Sequence, residues 1–397
     1  MESVGRGVAG VVATVRAARR IRGRHIALLL VLLHLPLAVR VEAADSVQIP
    51  ALRSSIAHKA LLTDSAQLSD RVVAVGSNGV IVYSLDGERW IQAEVPSQVL
   101  LTTVFFIDDR EGWAAGHDTL ILHTTDGGES WQIQYEEPIT DGDLPKPILD
   151  LHFDDRLRGW AIGAFSLMLA TEDGGKTWQK VDTGELYDLL EGLDQEPEPN
   201  FNAFHRLEDG FFIVGELGTL LHYRIADPAP AAASPADTGN SGTAPALPAE
   251  LAGDPAQPEA SPETSPEEAG PADTAGPWTV IPSPYAGSFF GVNRLSSGEI
   301  LIYGLRGHLF KATDLDGNWQ AVDTGGRTEN INDVIELDDG TSVAVGTGGT
   351  LFHLSRNAAK AELIPYPGFE GFVSAQKLGA RQLLLFGDAG ARVFPLP

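Results

Sequence analysis

Along most of the chain, apolar and polar positions alternate in runs of four to six residues, separated by Gly, Asp, Asn and Ser. A period of two marks strands with one face toward a core, and the punctuation marks tight turns. The clearest stretch reads Gly112-Trp113-Ala114-Ala115-Gly116, Leu120-Ile121-Leu122 and Thr124-Thr125-Asp126-Gly127-Gly128-Glu129-Ser130-Trp131. It returns 47 residues later as Gly159-Trp160-Ala161-Ile162-Gly163, Leu167-Met168-Leu169 and Thr171-Glu172-Asp173-Gly174-Gly175-Lys176-Thr177-Trp178, with eleven of the twenty positions from 112 to 131 unchanged. Four strands are predicted in the first of these units, at residues 103–107, 113–116, 120–124 and 130–135.

Weaker copies keep the same grammar. Residues 72–76 and 79–83 lead to the turn Ser84-Leu85-Asp86-Gly87 and Trp90; residues 301–304 and 307–310 lead to Asp316 and Trp319. Residues 212–215 with 218–222, 343–346 with 349–352, and 384–387 with 390–394 complete the set of seven. A four-stranded unit of about 40–50 residues leaves both faces bare, and stacking such units radially covers them. The expected fold is therefore all-β: a seven-bladed propeller of four-stranded antiparallel blades. The last copy stops before its fourth strand, so residues 45–52 are expected to supply it and close the ring.

Two segments stand outside the repeat. Arg16, Arg19, Arg20, Arg22 and Arg24 precede an apolar stretch from Ile26 to Val39, and Val41-Glu42-Ala43 offers small residues for cleavage. This is expected to be a signal peptide, residues 1–43, leaving 44–397 as one propeller domain. Residues 226–277 are rich in Ala, Pro, Ser and Glu, with nine acidic residues, no basic ones and no aromatic, Val or Ile. Such a segment buries too little apolar area to offset its ordering entropy, and is expected to be a disordered insertion between the third and fourth strands of blade four.

Charge and cysteine content narrow the function. Cleavage after Ala43 takes the net charge from −26 to −31, which repels a phosphate backbone and disfavours nucleic acid. There is no Cys, which excludes disulfides, thiol catalysis and Cys-type zinc sites. The turn motif itself has a structural logic: the hydroxyl of Ser84, Thr124 or Thr171 and the carboxylate of Asp86, Asp126, Asp173 or Asp316 can take up free backbone N–H groups. Gly128 and Gly175 accept positive φ, and Trp90, Trp131, Trp178 and Trp319 cover the hairpin.

These Asp-box turns, with the Gly-Trp-Ala-x-Gly strands before them, resemble the photosystem II stability/assembly factor family over nearly all of residues 45–397. That resemblance implies a seven-bladed propeller of BNR repeats that is not an enzyme and holds an immature membrane subunit. Relatives in non-photosynthetic bacteria are associated with RND-type exporters. The acidic insert and the eroded Asp boxes of blades four to seven depart from the family pattern.

The rival expectation is a glycan-binding or sialidase-like propeller, because Asp boxes occur there too. The Phe-Arg-Ile-Pro signature of those enzymes is absent and no arginine stands in its context. Gly175-Lys176-Thr177 ends like a phosphate-binding loop, but Ala170 stands where that loop's first glycine belongs. His152 and His205 could face the channel, yet a metal there would need ligands from several blades. Asp314 and Asp316 lack the later Glu of a calcium loop. No cofactor and no metal are expected.

Binding is expected instead on the face that gathers the hairpins between second and third strands and the connections between blades. That face carries Phe165, Tyr187, Glu191, Asp194, Tyr285, Arg306, Arg327 and Tyr366, and residues 183–200 have the spacing of a short amphipathic helix over the channel. The expected partner is a protein of a membrane or envelope complex, met in the periplasm or a lumen-type compartment by a monomeric scaffold.

Overall fold

A computed structural model describes residues 49–138, 145–193, 195–225 and 276–396. The signal-peptide assignment, Asp194 and residues 226–275 of the insertion lie outside these residues.

Seven antiparallel sheets follow one another, each in simple up-and-down order. The first pairs Leu62–Gln67, Val72–Gly76, Ile81–Ser84 and Ile91–Gln92; the second pairs Leu101–Phe106, Gly112–Gly116, Ile121–Thr124 and Gln132–Tyr135. The third runs from Ile148–Phe153 to Gln179–Lys180, and the fourth begins with Phe201–Arg206. In that fourth blade the third strand, Leu220–Arg224, pairs directly with Trp278–Val280. The fifth, sixth and seventh blades begin with Phe289–Arg294, Ile331–Glu336 and Phe372–Lys377.

Each second strand is covered on both faces, which is why these strands read as unbroken apolar runs. Each ends in glycine because the neighbouring first strand passes so close. A Cβ on Gly76 would stand 2.0 Å from the Leu61 carbonyl oxygen, and one on Gly346 1.8 Å from that of Asn330. Opposite each glycine the first strand bulges by one residue, as between Leu62 and Asp64.

The bulges turn polar side chains from one blade to the next. Thr63 and Thr102 donate to the carbonyls of Leu101 and Ile148, each at 2.6 Å, and Asn202 and Asn332 donate to those of Phe289 and Phe372, each at 2.7 Å. Asp64, Asp150 and Asp333 accept the N–H groups of Val104, Phe204 and Ala375 at 2.8, 3.1 and 2.9 Å. In blade five Gly291 opens the space that the ring of Tyr303, its cross-strand partner, fills; the Tyr303 hydroxyl donates to Asn293 of the same blade at 2.6 Å, and the ring shares a core with Ile331 and Val334 of blade six. With no disulfide available, these contacts and the apolar cores between blades hold the ring.

The ring closes differently from the sequence expectation. The seventh sheet has three strands, Phe372–Lys377, Gln382–Gly387 and Gly390–Pro395. The described part of the N-terminal segment does not pair with it. Ala51 donates instead to the Val95 carbonyl, and the Gln92 side chain accepts from the Ser54 N–H and donates to the Leu52 carbonyl, along the first blade. Closure comes from packing of blade seven on blade one. Val72, Val82, Leu384 and Phe386 share one core, the Ser65 and Ser374 hydroxyls lie 2.7 Å apart, and Gln376 donates to the Ser65 carbonyl.

Candidate functional site

The two rims of the ring are built from different turns. On one, the Asp-box turns lean on the hairpins between first and second strands: Gly127 donates to the Arg110 carbonyl and Gly174 to that of Leu157. Within the box Asp126 accepts the N–H groups of Glu129 and Ser130 at 2.9 and 3.0 Å, while Thr124 accepts that of Gly128 at 3.2 Å. Asp173 and Thr171 repeat this with Thr177 and Gly175, and Asp86 and Ser84 with Arg89 and Gly87. Burial would raise the Asp126 carboxyl, but the hydroxyl and N–H of Ser130 hold it below the ordinary value. In the fifth blade the carboxylate that takes up the turn is that of Asp314, which accepts the Asp316 N–H. These groups are taken up by the backbone of their own turns.

The opposite rim joins the second-to-third turns to the blade connections. Gly79 donates to Val99, Ser166 to Pro199, Gly218 to Gly287 and Gly349 to Glu370. Each of the first six turns places two consecutive residues in the left-handed region; the first of each pair is Asn78, Asp118, Phe165, Leu217, Arg306 or Gly348, with φ between 52° and 63°. Asn, Asp and Gly suit that conformation; Phe, Leu and Arg do not. Phe165 and Leu217 nevertheless stand 55 % and 60 % exposed at these tips, in adjacent blades, with exposed Arg306 in the next. Lys146 lies over the Phe165 ring, 5.7 Å from its centroid. Phe369, in the connection between blades six and seven, is 89 % exposed.

The other sequence-selected residues divide. Tyr285 packs at a tilt against His308 with centroids 3.9 Å apart, and Tyr366 packs on Phe372 and Phe394, so both mainly hold connections down. Arg327 is paired with Glu329 at 3.5 Å. Tyr187 and Glu191 sit exposed on the helix Gly184–Gly192. That helix buries Leu186 and Leu190 among Trp160, Phe201, Phe211 and Trp278, between blades three and four. It packs on the outer strand of blade four, at the rim rather than over the channel, because its apolar side matches the gap between two blades. Leu217 and Phe369 lie outside the residues that the sequence pattern selects; comparison of the six turn tips, where other blades hold Asn, Asp or Gly, is the signal that finds Leu217.

The innermost strands carry two arginines, Arg206 and Arg294, and Arg206 is tied to both oxygens of Asp154 at 2.8 and 2.9 Å. His152 is bonded to Asp154 at 3.1 Å and enclosed by Phe105, Phe204 and Phe211, and burial pushes its pKa down. Among the described residues no group of three His, Asp or Glu is placed to hold a metal, and no helix is long and apolar enough to cross a membrane. Burial raises Asp64 and Asp150 to about 7 and Asp333 to about 6. Each of these carboxylates is bonded to two backbone N–H groups.

Fold and rims together define a seven-bladed Asp-box propeller that presents loops on one face of a rigid ring. Within that class, residues 82–182 and 139–267 match the model of the photosynthesis system II assembly factor YCF48 family. No curated protein matches the chain. Among solved structures it is similar in fold to YCF48 bound to a D1 peptide, with 17% identity and a TM-score of 0.59, covering 88% of this chain and 99% of that one. YCF48 from Cyanidioschyzon merolae gives 15% identity, the same TM-score and coverages of 88% and 98%. The WD40 propeller domain of Doa1, at 11% identity and a TM-score of 0.55, covers 88% and 97%.

Proposed function

We propose that the chain is an exported, non-enzymatic scaffold that holds a protein partner of a membrane or envelope complex, as an assembly or stability factor. The partner meets the rim of second-to-third turns and blade connections. One observation carries the site: Phe165, Leu217 and Arg306 occupy left-handed turn positions that cost them conformational energy, and leave their side chains to solvent. Strain kept at exposed tips is the mark of a surface selected for contact rather than for folding. The family match of the repeats, and a protein peptide on the similar YCF48 structure, support a protein partner. Export to a periplasm or lumen-type compartment is supported by the N-terminal signal pattern.

The test is affinity capture from detergent-solubilised membranes of the source cells with the mature chain, followed by mass spectrometry. One membrane protein is expected to be retained by the wild type, lost with the Phe165→Asn/Leu217→Asn pair, and kept when Asp126 and Asp173 on the opposite rim are changed to Asn in folded protein. Equal retention by all three removes this face as the site.

A further inference from the structure

The seventh blade lacks, among the described residues, what the other six possess. In blades one, three, four, five and six the residue after the outer strand donates its N–H to the start of the third strand: Ala93 to Ile81, Val181 to Met168, Ile281 to Leu220, Val322 to Leu309 and Ile364 to Leu351. The equivalent acceptor in blade seven is the carbonyl of Ala391, since Ala391 faces Phe386 as Leu351 faces Val345. No described strand lies beyond it.

Register shows which groups are open. Gly387 and Gly390 flank a two-residue turn, and Leu396 donates to the Arg381 carbonyl, so every second residue of the last strand bonds inward. Ala391 and Val393, which fall between, aim their N–H and C=O groups outward, and Val393 is 40 % exposed. Beside this edge is a cavity of about 370 Å³ lined by Leu337, His353, Leu363, Ile364, Ala380 and Leu396, among others. It lies between blade six and blade seven. In the corresponding place between blades one and two sits Trp131, the first residue before the outer strand, packed among Leu68, Val73 and Val95. Trp90, Trp178, Trp278 and Trp319 likewise lie in the cores between their own blade and the one before. The chain's own repeats thus specify what covers such an edge: an extended strand that opens with a large aromatic side chain.

We infer that the outer edge of Gly390–Pro395 is a second docking site, taking an extended peptide segment of a protein partner by strand addition, with an aromatic ring in the adjoining cavity. Backbone bonds to Ala391 and Val393 supply the pairing, and the cavity selects the side chain. Pro395, without an N–H, limits pairing at the far end of the strand. The inference rests on the reading of the chain as a protein-binding scaffold, but places the contact on the side of blade seven rather than on the turn rim.

The probe is a fluorescent synthetic peptide with the chain's own outer-strand sequence from Ser130 to Glu137, and a companion with Ala for Trp, measured by anisotropy against the mature chain. Saturable binding is expected, and at least tenfold weaker binding of the companion. Val393→Pro removes an outward N–H and no inward bond, so it is expected to weaken the peptide at least tenfold with the melting temperature kept. Should that variant misfold, Leu363→Glu, at the cavity wall, is expected to give the same loss. Equal binding to wild type and both folded variants overturns the inference, as does no binding at all. A concentration-dependent dimer of the wild type that Val393→Pro turns into a monomer also overturns it, because a second copy then holds the edge. Capture of the membrane partner by a wild type that ignores the peptide would fail this inference alone and leave the scaffold reading standing.

Discussion

Leu217→Asn is expected to raise stability and lower partner binding at once. Leu217 sits at φ 52° and ψ 31° and is 60 % exposed. A left-handed conformation costs an L side chain about 1–2 kcal/mol, and Asn, which tolerates it through local hydrogen bonds, should recover about 0.5–1 kcal/mol. In a domain of this size that gain is worth about 1–3 °C. Burying a Leu fully is worth about 1.5–3 kcal/mol, so the exposed part leaves about 1–2 kcal/mol for a partner to collect. Removing it should weaken the partner about 5–30-fold. Differential scanning fluorimetry reads the first effect, and biolayer interferometry with the captured membrane protein reads the second. A lower melting temperature would mean that Leu217 packs the fold. A higher one with unchanged affinity would mean that the tip is strained without being used. Either result refutes the reasoning.

Trp131, 4 % exposed and bonded to the Gly128 carbonyl at 3.1 Å, should cost about 3–5 kcal/mol as Trp131→Ala, read by urea unfolding. The pKa values of Asp64, Asp150 and Asp333 are raised on folding, so the native state binds more protons than the unfolded chain between about pH 4 and 7. Their contribution is complete below that window and is lost as pH rises through it. The histidines whose pKa burial lowers, His152 and His205 among them, act the other way over the same interval, so the test is a comparison: from pH 5 to pH 8 at constant ionic strength, the melting temperature of the wild type should fall relative to that of a folded Asp64→Asn/Asp150→Asn variant, and parallel curves would contradict the assignment. Reversing Glu191 to Lys, on the exposed side of the helix, should leave the melting temperature unchanged, whereas Leu190→Ala, 1 % exposed, should lower it by costing about 2–5 kcal/mol of stability. Client capture falling with the first variant would extend the binding rim to the helix.

Repeat architecture was legible in the sequence because two signals recur in step: a glycine where one strand must pass another, and a hydroxyl–carboxylate turn before a tryptophan. Gly346 and Gly76 have no room for a Cβ, so the chain could not vary them freely and the period survives elsewhere-eroded repeats. The path of residues 49–60 was not legible. Its interactions are single ones, Arg53 and Ser54 with Gln92 and Ala51 with Val95, and no periodicity announces them. Helix formation at 184–192 could be read from the spacing of Leu186 and Leu190, but not its place, which depends on a gap between blades that one segment cannot reveal. The binding rim was legible as a set of loops. Which loop residues face solvent was not: Tyr285 and Tyr366 look as available in the sequence as Phe165, and differ only in having ring partners.

The fasteners between innermost strands have a consequence for how seven similar blades find their order. Thr102 reaches a carbonyl, Asp150 an N–H and Asn202 a carbonyl, and in blade five Gly291 makes way for the Tyr303 ring that packs on blade six. Were the blades interchangeable, a half-folded chain could shuffle neighbours at little cost, the characteristic failure of repeat proteins. With unlike seams, a misplaced neighbour would set the Asp64 carboxylate where the ring of Tyr303 belongs, or leave it enclosed without its N–H donor. The decay of the repeat away from its consensus thus tells some seams from others, the Tyr303 seam above all, while the Asp64, Asp150 and Asp333 seams keep one fastener in common.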